Sequence, residues 1–460
     1  LYDTLRGLGL RKVMLFLFEK ITGVINSINQ KIITFIENKS KLSNKSIVFF
    51  LFLFTATISA PMLIGYTIDN DPNRGEGKDI EIFRDRAQTI LDGDLLYRDT
   101  EKITVTPPLI NYLFTPVLIL GDSLLMWMVW FTFFLFLTSV VLFFILEAYF
   151  DRRLAIAGGM MYSASPFGQF TSISMLQDDS IIVFFLALSF LFLTRKRWYL
   201  AATTFGLGTM TKLFPALCAP LAFTASDNWK TRTTVVTIGL SIGLAVSLPF
   251  LILAYSEFMQ FLEFYLFGIQ PQSTNQSSTS FSQIEQRGMS FWRYLGETIF
   301  FVPSKLLHAI FFVALLSTWY GAFTNRLNLN AAFTLCILWI FIFYSKIHYG
   351  YHMMALLVLI PYAIHDNVKL WSLIGISFLA RIVHLAWRDS LFTDNDWVHL
   401  FFATVVWFYW IYWAVFVVRN QEYRRREEDA SIEQILVATG WIVAVCFAYT
   451  FHIGMKKMLF

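Results

Sequence analysis

The side chains that could do chemistry in this sequence are ionisable or amide groups beside long apolar segments. Ten of them fall at or near predicted span ends on one side of a membrane: Asp79, Arg84, Asp85, Gln177, Asp178, Asp179, Lys212, Lys346, His348 and His352. Ionisable groups are costly near hydrocarbon and mark functional sites by default. A carboxylate can take a proton from a hydroxyl group, whereas lysine, arginine and histidine can hold a phosphate. If these distant segments meet, they form one polar site reachable from water and from lipid.

Each of these residues also has a purely structural explanation. Asp79 could cap its own amphipathic helix, and Asp178 and Asp179 could be solvated residues ahead of a span. Lys212 could extend its ammonium group to the lipid headgroups. The residues alone leave both explanations open.

A metal site is not predicted. His348 and His352 are four residues apart, which would place both on one face of a helix, but no further histidine or carboxylate follows at zinc-ligand spacing. The three cysteines, Cys218, Cys336 and Cys446, lie in apolar runs and are predicted to be small buried hydrophobic residues. The sequence therefore predicts no metal ligand set and no cofactor, and leaves metal dependence open.

The elements that must position these residues are membrane helices. Of the 460 residues, 56% are hydrophobic and 15% are charged, whereas about 25% of a soluble protein is charged. Many apolar runs are long enough to cross a bilayer, which takes about 20 residues. The composition predicts an all-α polytopic membrane protein and excludes a cytosolic enzyme, a nucleic-acid-binding protein and a secreted disulfide scaffold.

About 13 transmembrane helices are predicted, with amphipathic juxtamembrane helices in the first outer loop. The predicted spans are 47–68, 123–148, 154–175, 180–194, 198–211, 213–225, 233–254, 301–322, 331–345, 351–365, 369–387, 398–418 and 435–454. In the outer loop, the pattern over 79–91 places Phe83, Ala87, Ile90 and Leu91 on one helical stripe. The pair 198–211 and 213–225 is too short to span, which predicts a hairpin broken at Lys212 with its tip in a polar cavity.

Basic residues in the short loops predict the orientation. Arg152-Arg153, Arg195-Lys196-Arg197 and Arg424-Arg425-Arg426 fall on one side, which is cytoplasmic by the positive-inside rule. The N-terminus is then cytoplasmic, and the polar site lies on the extracytoplasmic side of a plasma or reticulum-type membrane. Three regions follow: a basic amphipathic segment over 1–46, a catalytic transmembrane module over 47–365 with its outer loop at 69–122, and C-terminal helices over 366–460.

The first outer loop carries a family resemblance. It begins D-I-E-I-F-R-D-R-A at Asp79, continues I-L-D-G-D-L-L-Y-R-D and reaches a T-P-P-L-I-N-Y-L-F-T-P helix. This order resembles the first outer loop of GT-C fold glycosyltransferases, and most of all glycosyltransferase family 87, an α-mannosyltransferase-like branch. Gln177-Asp178 before a span, the break from Lys212 to Pro215 and the segment 345–352 extend the resemblance over about residues 47–365.

The resemblance implies an inverting hexosyltransferase that moves a sugar, mannose in this branch, from a polyprenyl-phosphate donor to a hydroxyl group of a lipid or glycan acceptor. Asp79 is implied as the general base, and Tyr97, Pro107 and Pro108 as the structural motif of the loop. Donor phosphate and substrate binding is implied for Arg84, Gln177, Asp178, Asp179, Lys212, Lys346, His348 and His352. The chain departs from the family pattern at Phe83, Thr106 and Leu176.

Physical chemistry is consistent with this reaction. A polyprenyl phosphate leaves as a stabilised anion, so the site needs cations rather than a general acid, and a single base acting in a direct displacement inverts the anomeric centre. No G-x-G-x-x-G loop is present in the sequence, which disfavours a nucleotide-sugar donor. The expected partners are the donor, the acceptor and membrane lipids. A transporter or flippase of a lipid-linked sugar is the alternative, and an inactive structural subunit is a third possibility.

Overall fold

The computed structural model describes residues 43–69, 78–267, 287–389, 396–423 and 439–440, and these are mostly helical. The first half of the described chain contains α1 (Asn44–Asp69), α2 (Lys78–Leu91), α3 (Pro108–Tyr112), α4 (Thr115–Ile119), α5 (Leu124–Leu146), α6 (Arg152–Ser163), α7 (Pro166–Gln169), α8 (Asp179–Thr194), α9 (Trp198–Thr209), α10 (Phe214–Cys218) and α11 (Pro220–Ala225). The second half contains α12 (Trp229–Leu253), α13 (Tyr255–Phe267), α14 (Phe291–Thr298), α15 (Ser304–Phe323), α16 (Leu329–Phe343), α17 (His352–Ala363), α18 (Asn367–Asp389) and α19 (Asp396–Arg419).

Five of the described helices are long and apolar enough to cross a bilayer. They are Asn44–Thr67, Leu124–Leu146, Trp229–Leu253, Ser304–Phe323 and Asp396–Arg419. The expected count of about 13 spans is therefore not confirmed by the described residues. Several predicted spans are shorter apolar helices instead, such as Asp179–Thr194 and Leu329–Phe343. The predicted amphipathic segment 1–46 lies almost entirely outside the described residues, and so does most of the span 435–454.

The core forms around α5, which contacts α1, α6 and α8. Most of its side chains are buried, and Ser123 caps its N-terminus by accepting a hydrogen bond from the Met126 N–H, 3.2 Å long. The second layer packs α8 against α9 and α16, where the rings of Phe190 and Phe333 stack with centroids 4.2 Å apart. A short apolar helix buried this way satisfies its backbone within the protein, so it needs no length matched to the bilayer.

The outer-loop helix predicted over 79–91 is confirmed as α2. Phe83 and Ala87 are buried, and the Phe83 ring stacks on Phe114 of the α3–α4 turn with centroids 4.4 Å apart. Leu91 is 43% exposed and does not belong to the buried stripe, whereas Ile80 does. The helix predicted after the two prolines divides into α3 and α4.

The hairpin break predicted at Lys212 is present. Helix α9 ends at Thr209 and α10 begins at Phe214, with Pro215 in its first turn. Further along the chain, two residues of strand β1 (Arg287–Gly288) pair in parallel with β2 (Lys346–Ile347). At Gly288, where φ is +70°, a β-carbon would lie 2.1 Å from the Ile347 carbonyl oxygen, so this approach requires glycine. The strand pair fixes the described chain at Arg287–Gly288 to the segment 345–352.

Candidate active site

The carboxylate of Asp79 stands at the start of α2 and is joined to the segment that precedes α8. Gln177 Nε2 donates a hydrogen bond to Asp79 Oδ2, 2.6 Å long, and both side chains are half-buried. Asp79 occupies the first turn of its helix, where the helix dipole favours a negative charge. The contact therefore holds the Asp79 carboxyl group beside Gln177, which is 98 positions away in the sequence.

A buried ionic cluster adjoins this contact. Lys212 Nζ lies 3.3 Å from Asp178 Oδ1 and 3.0 Å from Asp179 Oδ1. The side chain of Asp179 is 5% exposed and that of Lys212 is 20% exposed. A buried charge is tolerated only when it is paired and hydrogen-bonded. The structure thus brings Asp79, Gln177, Asp178, Asp179 and Lys212 together.

The backbone before α8 explains how Gln177 and Asp178 reach this place. A π-helical turn over Phe170–Ser174 ends α7, and the Gln177 N–H donates to the Thr171 carbonyl oxygen, 3.1 Å away. Leu176 has a φ of +54°, which costs a non-glycine residue about 1–2 kcal/mol. Its side chain is only 4% exposed, and burying a leucine contributes about 1.5–3 kcal/mol. Burial of the Leu176 side chain therefore offsets the backbone strain.

The loop that carries Lys212 is held by the Pro-Pro helix. The Leu109 N–H of α3 donates to the Met210 carbonyl oxygen, 2.9 Å away, two residues before Lys212. Pro107 caps α3 and Pro108 is its first residue, as expected of a helix start. The Tyr97 hydroxyl donates to the Thr106 carbonyl oxygen over 2.7 Å, which fixes the approach to the prolines. The three motif residues thus lie at or before the start of α3, whose Leu109 N–H binds the loop that carries Lys212.

The segment 345–352 closes the cluster from the other side. A β-carbon at Gly350 would lie 2.0 Å from Asp179 Oδ2, so the backbone at Gly350 packs directly against the Asp179 carboxylate. The ring of Tyr351 lies 5.1 Å from Lys212 Nζ, and the ring of His348 lies 5.3 Å from that of Tyr351. Lys346 is a half-buried residue of β2.

Two residues expected at the site have other surroundings. His352 is 1% exposed and stacks on Phe167 with centroids 5.0 Å apart, so it packs in the core beneath the segment. Arg84 pairs with Asp122, its Nε lying 2.6 Å from Oδ2. Arg84 follows Asp79 by five residues, and five residues correspond to a rotation of about 140° around the helix axis. Arg84 therefore lies on a different side of α2 from Asp79.

The comparisons with known proteins decide the family. The sequence profile described as glycosyltransferase family 87 matches residues 105–345, more than half of the chain. The chain belongs to glycosyltransferase family 87. Asp79 and His348 lie outside the matched residues, whereas Gln177, Asp178 and Lys212 lie within them. No curated protein matches the sequence.

Similarity to the solved structure of ArnT shows that this family 87 protein has the GT-C fold. ArnT from Cupriavidus metallidurans, bound to undecaprenyl phosphate, is 15% identical with a TM-score of 0.50, and the match covers 87% of this chain and 77% of that chain. The Archaeoglobus fulgidus oligosaccharyltransferase is 12% identical with a TM-score of 0.43, over 84% of this chain and 56% of that chain. The protein is an integral membrane glycosyltransferase.

Three residues at or near the candidate site were not expected from the sequence. Gly350 and Tyr351 contact Asp179 and Lys212 as described above. Arg381 of α18 is 5% exposed, and its guanidinium carbon lies 4.7 Å from the Phe170 ring and 5.7 Å from the Tyr349 ring. The sequence carried one signal for Arg381: it is an arginine inside a predicted membrane span, and such residues mark functional regions. Within the described residues, no group of three or more His, Cys, Asp or Glu side chains could hold a metal ion.

Proposed function

We propose that the protein transfers a sugar, mannose, from a polyprenyl-phosphate donor to an acceptor hydroxyl group on the extracytoplasmic side of the membrane, with inversion. One observation carries this proposal: a half-buried carboxylate, Asp79, is joined through Gln177 to a cluster that holds the half-buried cation Lys212. Membership of family 87 supports the reaction class. The undecaprenyl phosphate bound to the fold relative ArnT supports the donor class.

In the proposed reaction, Asp79 accepts the proton of the acceptor hydroxyl group as its oxygen attacks the anomeric carbon. The new glycosidic bond forms while the bond from the anomeric carbon to the phosphate oxygen breaks. The bonding electrons leave with the polyprenyl phosphate, and the proton remains on Asp79. Since the base acts on the side opposite to the leaving group, the anomeric configuration inverts.

Lys212 stabilises the departing phosphate. An ammonium group carries three N–H donors, and its described hydrogen bonds use one for Asp178 and one for Asp179. The third N–H serves the phosphate, Lys346 from the segment 345–352 adds positive charge, and His348 from the same segment adds a ring nitrogen that can form a hydrogen bond. The carboxylates that orient Lys212 also offer acceptors for the hydroxyl groups of the sugar, because a carboxylate has about four lone-pair sites.

The test measures sugar transfer by purified Asp79→Asn protein in detergent. No transport across a membrane can occur under these conditions. General-base catalysis is worth about 10²–10⁴-fold, so we expect a rate loss in that range with donor binding retained. Glu81→Gln is the matched control, because Glu81 lies on the same helix with 68% of its side chain exposed. Wild-type activity in Asp79→Asn, or an equal loss in Glu81→Gln, would remove Asp79 from the mechanism.

A further inference from the structure

Arg86 is a buried charge of α2 that the proposed reaction does not use. The residue is 5% exposed, and a buried charge is tolerated only where it is paired or hydrogen-bonded. Arg86 Nη1 donates to Thr106 Oγ1 over 3.1 Å, and Nη2 donates to the Ile103 carbonyl oxygen over 3.4 Å. Both acceptors belong to the segment that leads to the Pro-Pro helix. The guanidinium group therefore joins α2 to the chain ahead of α3.

Thr106 extends this connection to α3. Asn111 of α3 is fully buried, and its Nδ2 donates to Thr106 Oγ1 over 3.2 Å. A hydroxyl oxygen has two acceptor lone pairs, so Thr106 Oγ1 accepts from Arg86 and from Asn111 together. One hydroxyl group thus joins α2 to α3.

Helix α3 is bonded in turn to the loop that carries the cation. The Leu109 N–H donates to the Met210 carbonyl oxygen, 2.9 Å away, and Lys212 follows two residues later. This route from α2 to Lys212 is separate from the one through Gln177. We call it the outer-loop connection, and its members are Arg86, Thr106, Asn111 and the hydrogen bond from Leu109 to Met210.

The two routes hold α2 at two points on one side. Arg86 follows Asp79 by seven residues, which correspond to nearly two full turns and about 10.5 Å along the helix axis. Gln177 holds the Asp79 end through its 2.6 Å hydrogen bond, and Thr106 holds the Arg86 end. A single contact would let the helix pivot about that point. Two contacts on the side that carries Asp79 fix both the position and the rotation of the helix.

Apolar packing alone does not give this restraint. The Phe83 ring stacks on Phe114 with centroids 4.4 Å apart, so α2 stays docked without Arg86. Hydrophobic contact is non-directional, whereas a hydrogen bond weakens steeply when its length or angle departs from the preferred geometry. Loss of the Arg86 hydrogen bonds therefore leaves α2 in place but lets it shift against α3.

We propose that Arg86 is a positioning residue for sugar transfer, acting through Thr106 to set the position of the Asp79 carboxylate relative to Lys212. This inference rests on the proposed function and adds a residue that acts from outside the reacting groups. A displacement of about 1 Å at a catalytic site can cost about 100-fold in rate. Arg86 therefore affects the rate only while Asp79 is present as the base.

The first experiment measures sugar transfer by purified Arg86→Met and Thr106→Val proteins in detergent. We expect Arg86→Met to lower kcat about 10–100-fold, and Thr106→Val, which removes only the hydroxyl group, to lower it about tenfold. Thr106→Ser retains the hydroxyl group and should restore kcat close to the wild-type value. Arg98→Met is the matched control and should keep wild-type kcat, because Arg98 lies on the same outer loop with 52% of its side chain exposed.

The decisive measurement adds Arg86→Met to Asp79→Asn. A residue that acts through Asp79 has no further effect once the base is gone, so the double variant should have the same residual kcat as Asp79→Asn alone. A merely structural role for Arg86 predicts a further loss as large as in the wild-type background. That further loss, or wild-type kcat in Arg86→Met, would overturn the assignment.

Backbone hydrogen exchange gives a second measurement that needs no substrate. Arg86→Met and Thr106→Val should raise exchange in peptides from α2 and α3, whereas peptides from α5 should exchange as in the wild type. Unchanged exchange in α2 and α3 would overturn the outer-loop connection. Full activity in Asp79→Asn would refute the base of the proposed function, whereas a loss in Asp79→Asn beside wild-type kcat in Arg86→Met would refute only the positioning role.

Discussion

Gly350→Ala is the sharpest perturbation of the active site. The added β-carbon would lie 2.0 Å from Asp179 Oδ2, 2.8 Å from Asp179 Cγ and 2.9 Å from Thr171 Cγ2. Real β-carbons essentially never approach another heavy atom within 3.0 Å. Either the carboxylate or the segment 345–352 must therefore move by about 1 Å or more. The side chain of Asp179 is 5% exposed, so it has little space to retreat without leaving Lys212.

The structure sets the size of the effect. Asp179 Oδ1 accepts from Lys212 Nζ over 3.0 Å, and a shift of about 1 Å removes a hydrogen bond to a charged group, worth about 1.5–3 kcal/mol. A displacement of this size at a catalytic site can cost about 100-fold in rate, which corresponds to roughly 2.7 kcal/mol. The lost hydrogen bond and the displacement at the site thus predict similar free-energy costs. We expect Gly350→Ala to lower kcat/KM by about 10–100-fold.

The assay measures sugar transfer and thermal unfolding for Gly350→Ala beside Gly375→Ala. A β-carbon at Gly375 of α18 meets no heavy atom within 4 Å, so this control should keep wild-type activity. The double variant with Asp179→Ala removes the two contacts with Asp179 and leaves only the 2.9 Å approach to Thr171 Cγ2, so its activity should be close to that of Asp179→Ala alone. Wild-type kcat/KM in Gly350→Ala, or additive losses in the double variant, would refute the contact as the cause.

Three further predictions concern buried or half-buried charges, each measured by thermal unfolding in detergent. Lys212→Met leaves two buried carboxylates without their cation and should cost about 3–5 kcal/mol, part of which Asp179→Asn should restore. Arg381→Met loses contacts with two aromatic rings and should cost about 2 kcal/mol, whereas Arg381→Lys should retain part of this. Burial raises the pKa of the Asp366 carboxyl, but hydrogen bonds and charge from Lys369 lower it by more, so its pKa lies below the ordinary value. A lowered carboxyl pKa contributes stability at neutral pH that is lost as the pH falls through it, so Lys369→Met should flatten the loss of stability below about pH 4.

Short-range sequence patterns predicted one outer-loop helix and one helix break. The spacing of Phe83 and Ala87 located α2, and the proline after Lys212 located the break between α9 and α10. The number of spans could not be predicted this way, because an apolar run has the same composition whether it faces lipid or protein. Helix α16 illustrates this, since 11 of its 15 residues are buried and it packs against α15 and α19.

The site was predictable where residue type carries the chemistry. Carboxylates and cations beside apolar segments identified Asp79, Asp178 and Lys212, which the structure brings together. The side of the helix on which each residue lies was harder to predict. Arg84 is on the same helix as Asp79 but pairs with Asp122. His352 has the right chemistry but is packed against Phe167, because its neighbours in space come from other helices.

The residues that fix distances at the site carry no chemical signal. Gly350 contributes only the absence of a side chain, yet that absence is what lets the backbone reach Asp179. Leu176 shows the converse, because a residue unsuited to its φ of +54° is held there by burial of its side chain. A search for ionisable groups finds neither residue. The geometry of the carboxylates therefore depends on backbone positions whose importance follows from tertiary contacts, and substitutions there should impair transfer without removing any reactive group.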